Sequence, residues 1–281
     1  MCSGAGIITC EVETMSIEKR YEKLKQYLQE LGSVAIGFSG GVDSSFLATV
    51  AKQVLGDKVI AITVQSVFNP RAETEFAQQF AADLSIVHEI LHVDVLAIEN
   101  VADNPSNRCY YCKKALFSLL KTEAGKRGIN IVVDGSNMDD LDDYRPGIQA
   151  LEELKIKSPL RYAGLTKNDI RELSQKLGIV TWNKPSAACL ASRIPYNEIL
   201  TKEKLARIEK AEEFLAKYGF GQLRVRCHKK LARLEVKQED FVKLLDPVIR
   251  TEIIAYLRKL GFLYITLDLQ GYRTGSFNEV L

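Results

Sequence analysis

Two sets of residues in this chain have types and spacing suited to chemistry: the run Ser39-Gly40-Gly41-Val42-Asp43-Ser44, and the cysteines Cys109, Cys112 and Cys189. The run follows Val34, Ile36 and Phe38, which read as a short buried strand, and precedes Ser45 to Leu55, which reads as a helix. Gly40-Gly41 is then a tight turn between them. A strand, a glycine turn and a fresh helix start make an anion site, because the first helical turn presents unpaired N–H groups and the positive end of its dipole. Phosphate is the expected guest. A simple strand-to-helix turn capped by Ser or Asp would carry the same pattern. Two other phosphate loops are excluded, since neither G-x-x-x-x-G-K-[ST] nor G-x-G-x-x-G occurs.

Cys109-x-x-Cys112 suits a redox pair, half of a zinc site or part of an iron–sulfur site, and equally two cysteines that happen to start a helix. There is no second C-x-x-C, and His88, His92 and His228 are not in a Cys/His metal pattern, so a closed four-ligand zinc site is hard to assemble. Cys189 lies among the small or neutral Ala187, Ala188, Leu190, Ala191 and Ser192, with Lys184 and Arg193 nearby. Such cations favour thiolate, although a buried inert cysteine is the alternative. If the three converge, three thiolates can hold a cubane cluster with one iron open to an extra sulfur.

The elements that must position these groups are legible. Residues 16 to 31 form an amphipathic helix, 58 to 66 a second strand, 71 to 84 a second helix, 86 to 93 a third strand, 115 to 128 a helix and 129 to 134 a fourth strand. Alternating helices and continuously apolar strands call for an α/β fold with a parallel sheet covered on both faces. Ser39, Ser66, Asp94 and Asp134 fall at strand ends and are expected to rim one cleft. Thr166-Lys-Asn-Asp169 is a capping pattern that starts another helix. The segment 182–196 is too broken by Pro and small residues for a regular element. Beyond it, a helix, a hairpin, further helices and a final strand suggest a smaller α+β domain. The expected division is a flexible leader over 1–15, including Cys2 and Cys10, one domain over 16–195 and a second over 196–281.

A chain of 281 residues with 46% apolar content has enough material for two such domains. A formal charge of +2 offers no strong attraction for nucleic acid or membrane. No apolar stretch reaches a membrane-spanning length, and there is no secretion signal, so a cytoplasmic location and reduced thiols are expected.

The six-residue loop resembles the PP-loop of ATP pyrophosphatases, which split ATP into AMP and pyrophosphate. That resemblance implies that Ser39, Gly40, Gly41, Val42 and Ser44 wrap the pyrophosphate and Asp43 helps hold Mg²⁺. It sharpens through Asp134-Gly135-Ser-Asn, Asp142-Asp143-Tyr144-Arg145-Pro146-Gly147, Asn183-Lys184-Pro185-Ser186 with Cys189, Ser192-Arg193-Ile-Pro195-Tyr196 and Leu223-Arg224-Val225-Arg226. Together these closely resemble the LarE family of ATP-dependent sulfur transferases in nickel-pincer cofactor biosynthesis. The family implies adenylylation of a carboxylate of pyridinium-3,5-biscarboxylic acid mononucleotide, followed by sulfur delivery to give the thiocarboxylate.

In single-cysteine members, the cysteine resembling Cys189 gives up its own sulfur and becomes dehydroalanine. Cys109, Cys112 and Cys189 instead look like the branch that carries a [4Fe–4S] cluster with a labile extra sulfide. The implied cofactors are ATP, Mg²⁺ and that cluster. Cys189, Asp43, Lys184 and Arg193 are the implied catalytic residues, and Ser66, Gly135, Arg224 and Arg226 complete the implied cofactor contacts. A nucleotide substrate, a second copy of the chain, a sulfur donor and downstream cofactor-assembly proteins are the expected partners, with no membrane or nucleic acid. Arg224 and Arg226, two apart on a strand, should share a face, either for binding or as a solvated surface. Glu212, Glu235 and Asp240 are weaker candidates for metal or substrate contacts. Three other readings remain open: a tRNA-thiolating PP-loop enzyme, an amidotransferase or synthetase, and a nucleotide-sensing module.

Overall fold

A computed structural model describes residues 15–141, 146–185, 188–273 and 275–276. The leader cysteines Cys2 and Cys10, the motif residues Asp142 to Arg145, and Ser186 lie outside the described residues. Packing divides the chain into two compact units, one of Met1–Gln65, Arg71–Val93 and Cys109–Ser186, the other of Ser66–Pro70, Asp94–Arg108 and Ala187–Leu281.

The first unit opens with α1 (Ile17–Leu31), capped by Ser16, then β1 (Val34–Gly37), α2 (Val42–Leu55), β2 (Val59–Gln65), α3 (Arg71–Asp83) and β3 (Val87–His92). It continues through α4 (Arg108–Lys126), whose first residue belongs to the other unit, β4 (Val132–Val133), α5 (Pro146–Glu153), α6 (Pro159–Ala163) and α7 (Lys167–Lys176). The four strands form one parallel sheet in the order β3-β2-β1-β4. Strand alternation explains its two covers. Val34, Ile36, Val59 and Ala61 pack with Leu24, Leu28, Phe46, Leu160 and Ile170, whereas Ala35, Ile60 and Ile62 pack with Leu120, Ala124 and Leu151. The parallel sheet expected from the alternation is present.

Two helices start earlier than periodicity suggests. Gly41 is the N-cap of α2, so Val42, Asp43 and Ser44 are already helical. Helix α4 begins at Arg108 rather than Ala115, because a turn in which Arg108 N–H donates to Pro105 O, 2.9 Å, delivers the chain into it. Cys109 and Cys112 therefore lie in its first two turns. The short α6 was not foreseen, although Ser158-Pro159 is a helix start with proline in its first turn.

The second unit contains α8 (Lys202–Ala216), β5 (Leu223–His228), β6 (Leu231–Val236), α9 (Phe241–Leu245), α10 (Pro247–Lys259) and β7 (Tyr264–Leu267). Strands β5 and β6 form an antiparallel hairpin, and β7 joins β6 in parallel, giving the order β5-β6-β7. Leu205, Ile208, Ala211 and Leu215 bury the inner stripe of α8. The whole is a mixed α/β structure with a small carboxyl-terminal sheet. Among the described residues, no helix is long and apolar enough to cross a membrane.

Candidate active site

The loop between β1 and α2 is shaped by two glycines. Gly40 has φ +68°, which favours glycine, and a Cβ there would sit 3.2 Å from both Ala77 Cβ and Phe76 Cδ1, a tight fit. Gly41 caps α2 in an extended conformation without a side-chain bond, leaving the helix start open. The Ser39 and Ser44 hydroxyls face each other at 3.1 Å. Ser39 N–H points to Ser44 Oγ and Gly41 N–H to Ser39 Oγ, each at 3.4 Å. Bonds of that length are weak, so an incoming anion displaces them at little cost. Val42 is buried and anchors the first turn. Gly135, just past β4, approaches so closely that a Cβ would lie 3.2 Å from Ser44 N and 3.4 Å from Asp43 Cβ.

Two lysines attend this loop. Lys167 Nζ lies 2.5 Å from Asp43 Oδ2. Asp43 Oδ1 is buried and has no hydrogen-bond partner, a costly state for a carboxylate oxygen and a suitable ligand for a divalent cation. Asp43 thus fits the Mg²⁺ role. Lys167 is the first residue of α7, held there by the Thr166–Asp169 capping box and by its own N–H donating to Asp139 Oδ2 at 3.0 Å. Arg20 secures that cap through Asp169, 3.0 Å, and Gly164 O, 3.1 Å. Apolar periodicity does not single out Lys167. Its signal was a cation in the first turn of a helix, where the dipole disfavours one unless a carboxylate compensates. Lys184 Nζ donates to Gly40 O at 3.0 Å and Glu73 Oε2 at 2.8 Å, and stands 3.7 Å from the centroid of the Phe76 ring.

Ser39 and Asp134 belong to the first unit, whereas Ser66 and Asp94 belong to the second. Asp134 accepts from Ser158 Oγ at 2.6 Å and from Ser136. Ser66 Oγ donates to Asn69 Oδ1 at 2.8 Å, and Asp94 pairs with Lys202 at 2.8 Å.

Cys109 is exposed and Cys112 half-buried; three apart at the start of α4, they share a helix face. A Cβ on Gly147 would lie 2.6 Å from Lys113 Cδ and 3.4 Å from Cys109 O, so the glycine after Pro146 permits α5 to approach the cysteine turn. In the second unit, half-buried Cys189 caps the 3₁₀ turn Leu190–Arg193. Arg193 is 2% exposed, and its Nη1 donates to Ala188 O, 2.7 Å, and Cys189 O, 3.0 Å, while Nε and Nη2 form a fork with Glu212, each bond 3.0 Å. Arg226 Nη1 donates to Ser192 O at 2.7 Å, and its Nε and Nη2 grip Glu235 at 3.0 and 2.8 Å. Arg224 lies 5.1 Å from the Tyr272 ring, and burial, then Arg193, holds its pKa below the ordinary guanidinium value.

Arg224 and Arg226 share a strand face as their spacing predicts, but both are buried rather than solvated. Glu212 and Glu235 are engaged as counter-ions within the protein, and Asp240 accepts from Gly221 N–H at 3.2 Å. Cys227 is buried, and burial pushes its thiol pKa up, as for an inert core cysteine. Among the described residues, no three His, Cys, Asp or Glu side chains form a metal-binding group.

Residues 16–115 match the NAD synthase family. Among curated relatives, an uncharacterised protein of Synechocystis sp. is 43% identical over 265 residues, covering 94% of this chain and 99% of its own length. The pyridinium-3,5-bisthiocarboxylic acid mononucleotide synthase of Lactiplantibacillus plantarum is 36% identical over 258 residues, covering 90% of this chain and 92% of that enzyme. An uncharacterised protein of Methanocaldococcus jannaschii is 33% identical over 262 residues, with 91% and 98% covered.

Proposed function

The chain belongs to the LarE family of PP-loop, ATP-using sulfurtransferases, and from that premise we propose that it adenylylates a carboxylate of pyridinium-3,5-biscarboxylic acid mononucleotide and replaces the activated oxygen with sulfur. The observation that carries the first half is the pairing of the open loop at Ser39 to Ser44 with Asp43, whose one carboxylate oxygen is held by Lys167 and whose other is buried and unsatisfied.

In the first step, a substrate carboxylate oxygen attacks the α-phosphorus, the bond from that phosphorus to the bridging oxygen breaks, and the electron pair leaves with pyrophosphate. The loop amides, Ser39 and Ser44 bind the leaving group, with Ser66 and Gly135 as further nucleotide contacts, and Lys167 neutralises the charge that gathers on it. Asp43 would hold Mg²⁺, which would supply further charge neutralisation there. Lys184 fixes the loop through the Gly40 carbonyl and Glu73. In the second step, sulfur attacks the acyl carbon and AMP departs.

Cys189 is the sulfur-handling residue, and Arg193 acts on it as a positioning residue by holding the Ala188 and Cys189 carbonyls. Arg224 and Arg226 are the proposed contacts for the substrate's anionic groups. The donor chemistry of Cys109, Cys112 and Cys189 fits a [4Fe–4S] cluster with an open iron, and when bound that group supplies sulfur in replaceable form. A homo-oligomer, a separate sulfur donor and a cytoplasmic setting complete the proposal.

Anaerobic reconstitution followed by optical spectroscopy tests the cluster. Its thiolate-to-iron absorption should vanish when any one of the three cysteines becomes serine, and an unchanged spectrum in all three variants refutes it. Mass spectrometry of the Cys189 peptide after turnover separates the routes: intact cysteine supports the cluster, and dehydroalanine marks sacrifice. Pyrophosphate release that depends on the carboxylate substrate separates an enzyme from a nucleotide sensor, which would release none.

A further inference from the structure

Thr63 is a buried hydroxyl in the middle of an apolar strand, a position where valine would pack equally well without a polar group to satisfy. Its hydroxyl donates to the Phe38 carbonyl at 2.7 Å. Phe38 is the residue that enters the phosphate loop, and its own N–H donates to Ile62 O at 2.9 Å. The Thr63 oxygen also lies 2.7 Å from Nε2 of His88 on β3. A carbonyl only accepts, so the single hydroxyl proton goes to Phe38 and the hydroxyl accepts from His88, which must carry its proton on Nε2. The His88 ring stands edge-on to Phe38, with ring centroids 5.9 Å apart at 85°. Burial pushes its pKa down and favours the neutral ring.

Peptide geometry connects this chain of bonds to the loop. The Phe38–Ser39 peptide is trans, as are all peptides among the described residues, so its C=O and the following N–H point to opposite sides. Holding the carbonyl on Thr63 turns Ser39 N–H toward Ser44 Oγ, 3.4 Å away, inside the loop.

We infer that Thr63 and His88 are positioning residues of the phosphate loop: together they fix the plane of its entering peptide and so aim its first N–H at a bound phosphate oxygen. The inference rests on the pyrophosphate-loop reading above. Neither residue touches the anion, and both act through one carbonyl.

Titration calorimetry of the full chain with magnesium pyrophosphate tests it. Thr63→Val should weaken binding about fivefold or more, the scale of one net hydrogen bond. Thr63→Ser should bind like the wild type. His88→Gln, whose amide can donate to Thr63, should also stay near the wild type, whereas His88→Leu weakens binding. The double variant Thr63→Val with His88→Leu should be no weaker than Thr63→Val alone. Unshifted binding in Thr63→Val overturns the inference, as does equal weakening in Thr63→Ser, which would report general disturbance of the sheet. A wild type that binds no pyrophosphate would instead remove the loop reading beneath it.

Discussion

Replacing Arg193 with methionine separates the two halves of the proposed reaction. The arginine side chain is 3% exposed and that of its fork partner Glu212 is 16% exposed, so the substitution leaves a largely buried carboxylate without its counter-ion. Breaking such a pair costs about 3–5 kcal/mol. Glu212 keeps the Val225 N–H at 2.9 Å and some access to water, which favours the lower end, about 3 kcal/mol. At about 2–4 °C per kcal/mol for a domain of this size, melting should fall by about 6–12 °C. The carbonyls of Ala188 and Cys189 lose a shared donor at the same time, so the cysteine segment loosens. Misplacement of a reacting group by about 1 Å costs about 100-fold. Thiocarboxylate formation should therefore fall by about that factor. Pyrophosphate release should survive at temperatures where the variant is folded, because Ser39, Asp43, Lys167 and Lys184 belong to the first unit. Arg193→Lys keeps the charge but not the planar fork and should lie between. The assays are thermal melting, pyrophosphate release and mass detection of the thiolated product. Melting unchanged within about 1 kcal/mol, or parallel loss of both activities, refutes the reasoning.

Lys167→Met should reduce pyrophosphate release by about 100- to 1,000-fold, as for loss of one charge-stabilising donor, with partial recovery in Lys167→Arg; a wild-type rate in Lys167→Met removes it from the mechanism. Gly40→Ala forces a side chain into the left-handed region at about 1–2 kcal/mol and against Ala77, so both melting temperature and pyrophosphate affinity should drop, and an unaffected variant would contradict the close approach. Burial holds the pKa of His88 and of His228 below the ordinary 6.5. The unfolded chain therefore binds more protons just below that value, and this contribution to stability is complete above pH 6.5 and lost as pH falls through the folded-state values. Melting temperature should decline on acidification, and less steeply in His88→Gln; identical slopes would show that His88 does not contribute.

Local order alone makes much of this protein legible. Alternating apolar strands and helices call for a covered parallel sheet, although its strands pair far along the chain, whereas Gly40-Gly41 determines a turn into a helix and Thr166 to Asp169 determine a capping box because these two depend on neighbours within a few residues. Helix starts were less legible at α2 and α4, since Val42 and Arg108 become helical through a cap and a turn that precede any apolar period. Tertiary structure decided the rest. Lys167 reaches Asp43 across 124 positions, Lys184 reaches Gly40 across 144, and Arg193 takes Glu212 as its partner instead of a solvent or substrate anion. Arg224 and Arg226 are determined by spacing to share a face, yet only the packed hairpin and its counter-ions decide that this face is buried. The physical reason is that periodicity specifies which side of an element is apolar, whereas the partner of a charged group is set by what the fold brings within about 3–4 Å of it. The loop at Ser39 to Ser44 is thus written locally, and the cations and hydroxyls that tune it arrive from strands and helices far along the chain.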